Sequence, residues 1–174
     1  MKLPPRSSST LRRHGRLAVV LLGAVAAIMV ASIAGRHFVW NLSPSVPRGL
    51  YILDRSAAPI RGAIVTFPPP ANAAAVITAR RYLPGGVSLI KTVVALPGDA
   101  VCIDEFAFSV SGRIIGAIAH HDSVGRPLDS FRFCGAVSPG STFVATAAQL
   151  SFDSRYFGPV PLSTLTVAIP VWTY

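Results

Sequence analysis

The chain has 174 residues, of which 51% are hydrophobic and only 13% charged, with a formal net charge of +9. This length allows one domain with a substantial core. Five of the sixteen basic residues precede residue 17, and the other eleven face seven acidic ones, a net +4 scattered singly along the body. A nucleic-acid-binding surface would instead cluster basic residues on one element with aromatics between them, so that class is excluded.

The first sixteen residues carry Lys2, Arg6, Arg12, Arg13 and Arg16 and no acid, as expected for a basic cytoplasmic segment. Residues 17–34 (LAVVLLGAVAAIMVASIA) hold no charge and are just long enough to span a bilayer. The positive-inside rule keeps the N-terminus in the cytoplasm and sends residues 35–174 across the membrane. A cleavable signal peptide is the rival reading, because Ser32, Ile33 and Ala34 offer small residues at the right spacing. The longer apolar run favours a retained, single-pass anchor, and on either reading the body is exported.

From residue 35 onward the pattern is β. Short β-rich runs recur at residues 49–53, 63–67, 87–96, 100–103, 106–110, 113–119, 142–146 and 163–171, separated by turn residues. Ser111-Gly112 reads as a two-residue hairpin turn, and Pro97-Gly98-Asp99 as another turn with Asp99 capping it. The stretch 71–81 (ANAAAVITARR) predicts a short helix, a surface excursion between Pro68-Pro69-Pro70 and Pro84-Gly85-Gly86. The expected fold class is mostly β, one antiparallel β-sheet domain behind one N-terminal transmembrane helix. Cys102 and Cys134 both lie in the exported part, where a disulfide is the default and a free buried pair the alternative. Two cysteines without CxxC or HxxxH spacing give no metal signal.

Three separated segments carry chemistry. In Asn41-Leu42-Ser43-Pro44-Ser45-Val46-Pro47 two prolines flank Ser45, which predicts an extended backbone that presents the hydroxyl just outside the membrane; an ordinary linker has the same composition. Fourteen of the sixteen basic residues are arginine, and the only lysine after Lys2 is Lys91, which opens the apolar run Thr92-Val93-Val94-Ala95-Leu96. Arginine stays protonated, whereas a desolvated lysine is neutral near pH 7 and acts as a base. The third segment, Ser151-Phe152-Asp153-Ser154-Arg155, reads by itself as a local ion pair or turn cap. His120-His121-Asp122 offers a competing base and acid, but its place between strands beside Gly125 predicts a solvated loop. His37 is expected to be interfacial.

Taken together and in order, these segments resemble the signal peptidase I family of serine–lysine peptidases. Lys91 followed by Thr-Val-Val-Ala-Leu-Pro-Gly-Asp is similar to the family's lysine box, and Asp153-Ser154-Arg155 to its C-terminal box. Val46 and Pro47 depart from the usual Ser-Met pattern. The Ser-x-Pro-x-Gly-Leu-Tyr form, with Gly125-Arg126-Pro127-Leu128, is closer to the TraF-type conjugal-transfer branch.

The resemblance implies Ser45 as nucleophile, Lys91 as general base, and Ser43 as an oxyanion donor. It also implies Ser151 as the hydrogen-bond partner of Lys91, and Asp153 as a residue counted with the catalytic ones in that branch, with Arg155 as structural support. It implies no metal and no cofactor. The implied substrate is a conjugative pilin or type IV secretion component with small residues near the cut, matured by hydrolysis or ring closure. General removal of signal peptides and a non-catalytic membrane-tethered scaffold are the alternatives.

Overall fold

The computed structural model describes residues 18–27, 29 and 37–174. The predicted cytoplasmic segment 1–16, the cleavage triplet 32–34 and part of the predicted anchor lie outside the described residues. Residues 18–27 are helical, with Val19, Val20, Leu21 and Leu22 exposed. Among the described residues no helix is long and apolar enough to cross a membrane. The chain divides into two compact units, Met1–Phe38 and Val39–Tyr174.

Among the described residues eleven strands alternate with little helix: β1 (Phe38–Asn41), β2 (Gly49–Asp54), β3 (Ile64–Phe67), β4 (Leu89–Ala95), β5 (Ala100–Ile103), β6 (Ala107–Val110), β7 (Arg113–Ala117), β8 (Phe133–Ala136), β9 (Ser141–Ala145), β10 (Val160–Pro161) and β11 (Thr166–Thr173). One sheet has the order β1-β2-β11-β3-β4-β9-β10, the other β7-β6-β5-β8, and the pairs among β2 to β11 are antiparallel. The predicted mostly-β antiparallel class is what the body adopts. Strands β1, β8 and β10 were not legible as β-runs, being short and interrupted by Asn, Gly or Pro.

β4 positions the chemistry. It lies between β3 and β9, with register pairs Val65↔Lys91 and Val93↔Val144. Side chains alternate across a strand, so Leu89, Lys91 and Val93 share one face and Ile90 points to the other. Leu89 and Val93 join Val65, Val144 and Phe157 in one apolar core, while Ile90 packs with Val46, Tyr51 and Ala168. Lys91 is thus the cation on a face otherwise built for a core.

The helix α1 (Ala71–Arg80) matches the predicted 71–81 stretch and ends at Arg81, whose left-handed backbone has φ 56°. It is more than a surface excursion. Ala73 and Ile77, one turn apart, are buried in the same core as Leu89 and Val93.

The turns follow the chemistry of their residues. Ser111 and Gly112 both have positive φ (49° and 78°), the handedness a two-residue hairpin requires. At Pro97-Gly98 the Asp99 carboxylate accepts from the Leu96 N–H at 2.6 Å and pairs with Arg61, so Asp99 does cap its turn. In the second sheet Cys102 lies opposite Cys134, and a disulfide joins them. Closing a loop of separation 32 stabilises the fold by about 3–4 kcal/mol in the chain-entropy account.

Candidate active site

Ser45 sits in a loop between β1 and β2, and its backbone is not extended: Pro44 and Ser45 form the centre of a turn. The fixed φ of Pro44 suits the first central position of a turn as well as it suits a strand. A buried side chain tips the balance. Asn41 Nδ2 donates to the carbonyls of Ser43 (2.9 Å), Val46 (3.1 Å) and Pro47 (3.1 Å), and its Oδ1 accepts from the Ser43 N–H at 3.0 Å. Tyr51 Oη donates to the Pro47 carbonyl from below. Gly49 follows with φ 147°, and a Cβ there would meet the Trp172 carbonyl, so the exit from the loop admits only glycine.

The two serines of this loop face each other. Their hydroxyl oxygens are 2.7 Å apart, and the Ser45 N–H donates to Ser43 Oγ at 3.2 Å. In the resting structure the Ser45 N–H is thus engaged by Ser43 Oγ, which itself lies against Ser45 Oγ. Pro44 between them has no N–H to contribute.

Lys91 is 6% exposed and donates to Ser151 Oγ at 2.7 Å. Burial pushes its amine down from 10.5 to about 8; Asp153 works against this shift and Arg155 with it. The cause is desolvation of the charged form by the surrounding apolar side chains.

Ser151 is held by the segment that leads into α2 (Ser154–Phe157). Asp153 caps this helix by accepting from the Arg155 N–H at 3.2 Å. The same carboxylate takes a forked pair from the Arg155 guanidinium, Nε at 2.8 Å and Nη2 at 2.7 Å, while also accepting from the Thr146 N–H at 3.3 Å. Asp153 is 0% and Arg155 1% exposed. The guanidinium spends its remaining N–H groups on the carbonyls of Ala117, Thr146, Ala148, Gln149 and Ser151. This pair ties the Ser151 turn to the ends of β7 and β9.

Ser43, Ser45, Lys91 and Ser151 all line one cavity of about 620 Å³. The structure thus brings four of the six predicted site residues to a common wall. Asp153 and Arg155 lie behind it, outside the lining. Ser45 and Lys91 are not hydrogen-bonded to each other; each is bonded to a different serine. A free site often shows such slack between nucleophile and base.

The rest of the cavity is largely apolar, with Leu83, Val87, Leu89, Leu128 and Phe152 among its walls. His121 and Asp122 also line it; His120 and His121 are exposed, as predicted for a solvated loop, and the Asp122 side chain, 5% exposed, is the part that turns inward. Asp122 accepts from Tyr82 Oη (2.8 Å), Arg126 Nε (2.7 Å) and Arg80 Nη1 (3.3 Å), which draws its carboxylate inward. Asn41 and the Tyr82–Asp122 contact are the site features that sequence reasoning missed. Asn41 opens the same segment as Ser43 and Ser45, whereas nothing in the sequence links positions 82 and 122.

The profile of the family described as "Signal peptidase, peptidase S26" matches residues 11–172. A conjugal transfer protein TraF of Agrobacterium tumefaciens (strain 15955) is 39% identical over 93% of this chain and 98% of its own. A probable conjugal transfer protein TraF of Sinorhizobium fredii is 34% identical over 100% of this chain and 99% of its own. A crystal structure of a signal peptidase I from Enterococcus faecalis V583 is 22% identical, covers 63% of this chain and 94% of that one, and has a TM-score of 0.38. With a family match across nearly its whole length and full-length relatives of this kind, the chain belongs to the peptidase S26 family of signal peptidases, on its TraF-type conjugal-transfer branch.

Proposed function

We propose that the chain is a membrane-anchored serine endopeptidase in which Ser45 and Lys91 form the dyad, and that it matures a conjugative pilin or another type IV secretion component. The observation that carries the reading is Lys91. It is the only lysine beyond Lys2, it is buried on a core face, and burial holds its amine near 8 in the same cavity as a clamped serine. The names of the relatives, conjugal transfer proteins, support the substrate class. Residues 17–34 serve as the anchor, with the N-terminus cytoplasmic and the domain periplasmic.

The reaction runs in two balanced steps. Neutral Lys91 takes the Ser45 Oγ proton as Oγ bonds to the scissile carbonyl carbon, and the oxyanion is held by the Ser45 N–H and the Ser43 hydroxyl. Collapse breaks the C–N bond, and the leaving amine takes the proton from Lys91. A water, or the amine of the substrate's own N-terminus, then gives Lys91 a proton and attacks the ester; as the ester C–O bond breaks, Lys91 returns that proton to Ser45 Oγ and is neutral again. Water yields a linear product and the amine a ring. Ser151 orients Lys91, and Asp153 and Arg155 act as positioning residues by fixing the Ser151 turn.

The test is the intact mass of the candidate pilin subunit from cells carrying the wild-type chain or Ser45→Ala. A trimmed product made only by wild type is expected. A mass one water below the linear fragment means ring closure. Equal masses in the two strains would remove either the pilin as substrate or Ser45 as nucleophile, and would favour a general signal peptidase or a scaffold. With purified enzyme, kcat/KM should rise with pH through an apparent pKa near 8, because the neutral amine is the active form.

A further inference from the structure

A protonated lysine has three N–H donors and no acceptor. Lys91 becomes such an ammonium each time it takes the Ser45 proton, and one of its donors is accounted for by Ser151 Oγ. A second is shared with the Ser45 oxygen or the departing amine. The third has no acceptor in the resting structure, in a place where an unpartnered donor is penalised.

One buried hydroxyl on the same face is also without a partner. Among the described residues, Thr146 Oγ1 is the buried side-chain polar atom that makes no hydrogen bond. The register places it. β4 and β9 pair Val93 with Val144 and Thr92 with Ala145, so the next position opposite Lys91 is Thr146, one residue past the end of β9. Opposed residues of an antiparallel pair project to one face, with Cβ atoms about 4.5–5.5 Å apart. The Thr146 backbone is fixed at both ends, its N–H by Asp153 and its carbonyl by Arg155 Nη2 at 3.4 Å. The ion pair behind the cavity therefore holds an unused hydroxyl across the strand from the base.

We propose that Thr146 is a second positioning residue for the general base, its hydroxyl accepting a hydrogen bond from the Lys91 ammonium while Lys91 carries the Ser45 proton. The inference rests on the Ser45/Lys91 reading given above. In the resting state the flexible lysine stem is turned toward Ser151, and the Thr146 bond forms as the charge appears. The groups around Lys91 leave this role open. β3 offers only Val65 opposite it. Asp153 and Arg155, the charged neighbours, act on the amine in opposite directions. The far cavity wall contributes Tyr82, His121 and Asp122.

Thr146→Val removes the hydroxyl and keeps the shape, and Thr146→Ser restores the hydroxyl. Valine is expected to lower kcat by about tenfold to a hundredfold, the range for losing a hydrogen bond to a charged group, with KM unchanged. It should also move the titration of Lys91 to lower pH, because the charged form has lost an acceptor. That titration is read directly from 13C-labelled lysine in the full-length chain in detergent, where Lys2 is the only other lysine. Serine should bring both readouts back toward wild type, and Thr146→Ala gives the same test should valine disturb packing. Wild-type kcat and titration in the valine and alanine variants would overturn the inference, as would a serine variant no better than valine. An active Lys91→Arg enzyme would overturn both this inference and the dyad, so the two failures are distinguishable.

Discussion

Two cations are buried at the Ser45 cavity, Lys91 in its lining and Arg155 behind it, and their surroundings are opposite. Arg155 meets the Asp153 carboxylate through two parallel hydrogen bonds and gives its other donors to backbone carbonyls. Burial works to lower its pKa, but the bond and the charge of Asp153 outweigh this and raise it. Lys91 is bonded to one neutral hydroxyl, and the charges of Asp153 and Arg155 act on it in opposite directions, so burial dominates and its amine falls to about 8. A buried cation facing a carboxylate keeps its proton and becomes scaffold. One facing only hydroxyls can release it and become a base.

Exchanging the two kinds of cation should break this division most severely. Lys91→Arg keeps the charge but cannot give up its proton. Its rate of substrate trimming is expected to fall about 10²- to 10⁴-fold, the usual weight of a general base, with the folded far-UV spectrum retained. Undiminished trimming would end the proton-transfer role. On the other side, Arg155→Ala leaves Asp153 charged, buried and alone, which should destabilise the fold by about 3–5 kcal/mol. Urea unfolding measures this, and the double variant Asp153→Ala/Arg155→Ala should recover part of the loss. No recovery would mean that Arg155 acts through the carbonyls rather than through the pair.

The pH dependence of stability sharpens the contrast. The folded-state pKa of Lys91 lies below the ordinary 10.5, so between pH 8 and 10.5 the unfolded chain holds a proton that the folded one has shed. Relative to Lys91→Met, the wild-type chain should gain about 3 kcal/mol across that window, the free energy of a shift this large. The gain is fully present above pH 10.5 and is lost as pH falls through 8. A flat difference between the two proteins would mean that Lys91 is solvated. Ser151→Ala should have the smallest effect, about a tenfold loss of kcat, because it removes the resting partner of Lys91 but leaves the amine in place.

Much of the site was legible from residue chemistry alone. A single lysine in an apolar strand and an Asp two residues from an Arg both ended where their chemistry points, one as a buried amine and the other as a buried pair. The cysteines were paired. The turn at Ser45 was not legible, because Pro44 suits a turn and an extended chain equally. Asn41 decides between them by gathering three carbonyls from two to six residues away. The inward turn of Asp122 was not legible because its partners Tyr82 and Arg80 lie some forty residues upstream.

By itself the sequence determined the class of the domain, the identity of the candidate base and the scaffold pair, and the turns at Pro97-Gly98 and Ser111-Gly112. These rest on local preferences: alternation, glycine and proline geometry, and the inability of arginine to lose a proton. Tertiary structure alone decided that Ser45 and Lys91, separated in sequence by two strands and a helix, line one cavity. It also decided that Lys91 meets Ser151 rather than a carboxylate, and that Thr146 stands across from it. The physical reason is strand register. It is set jointly by every side chain on both faces of the sheet, and no single segment contains that information.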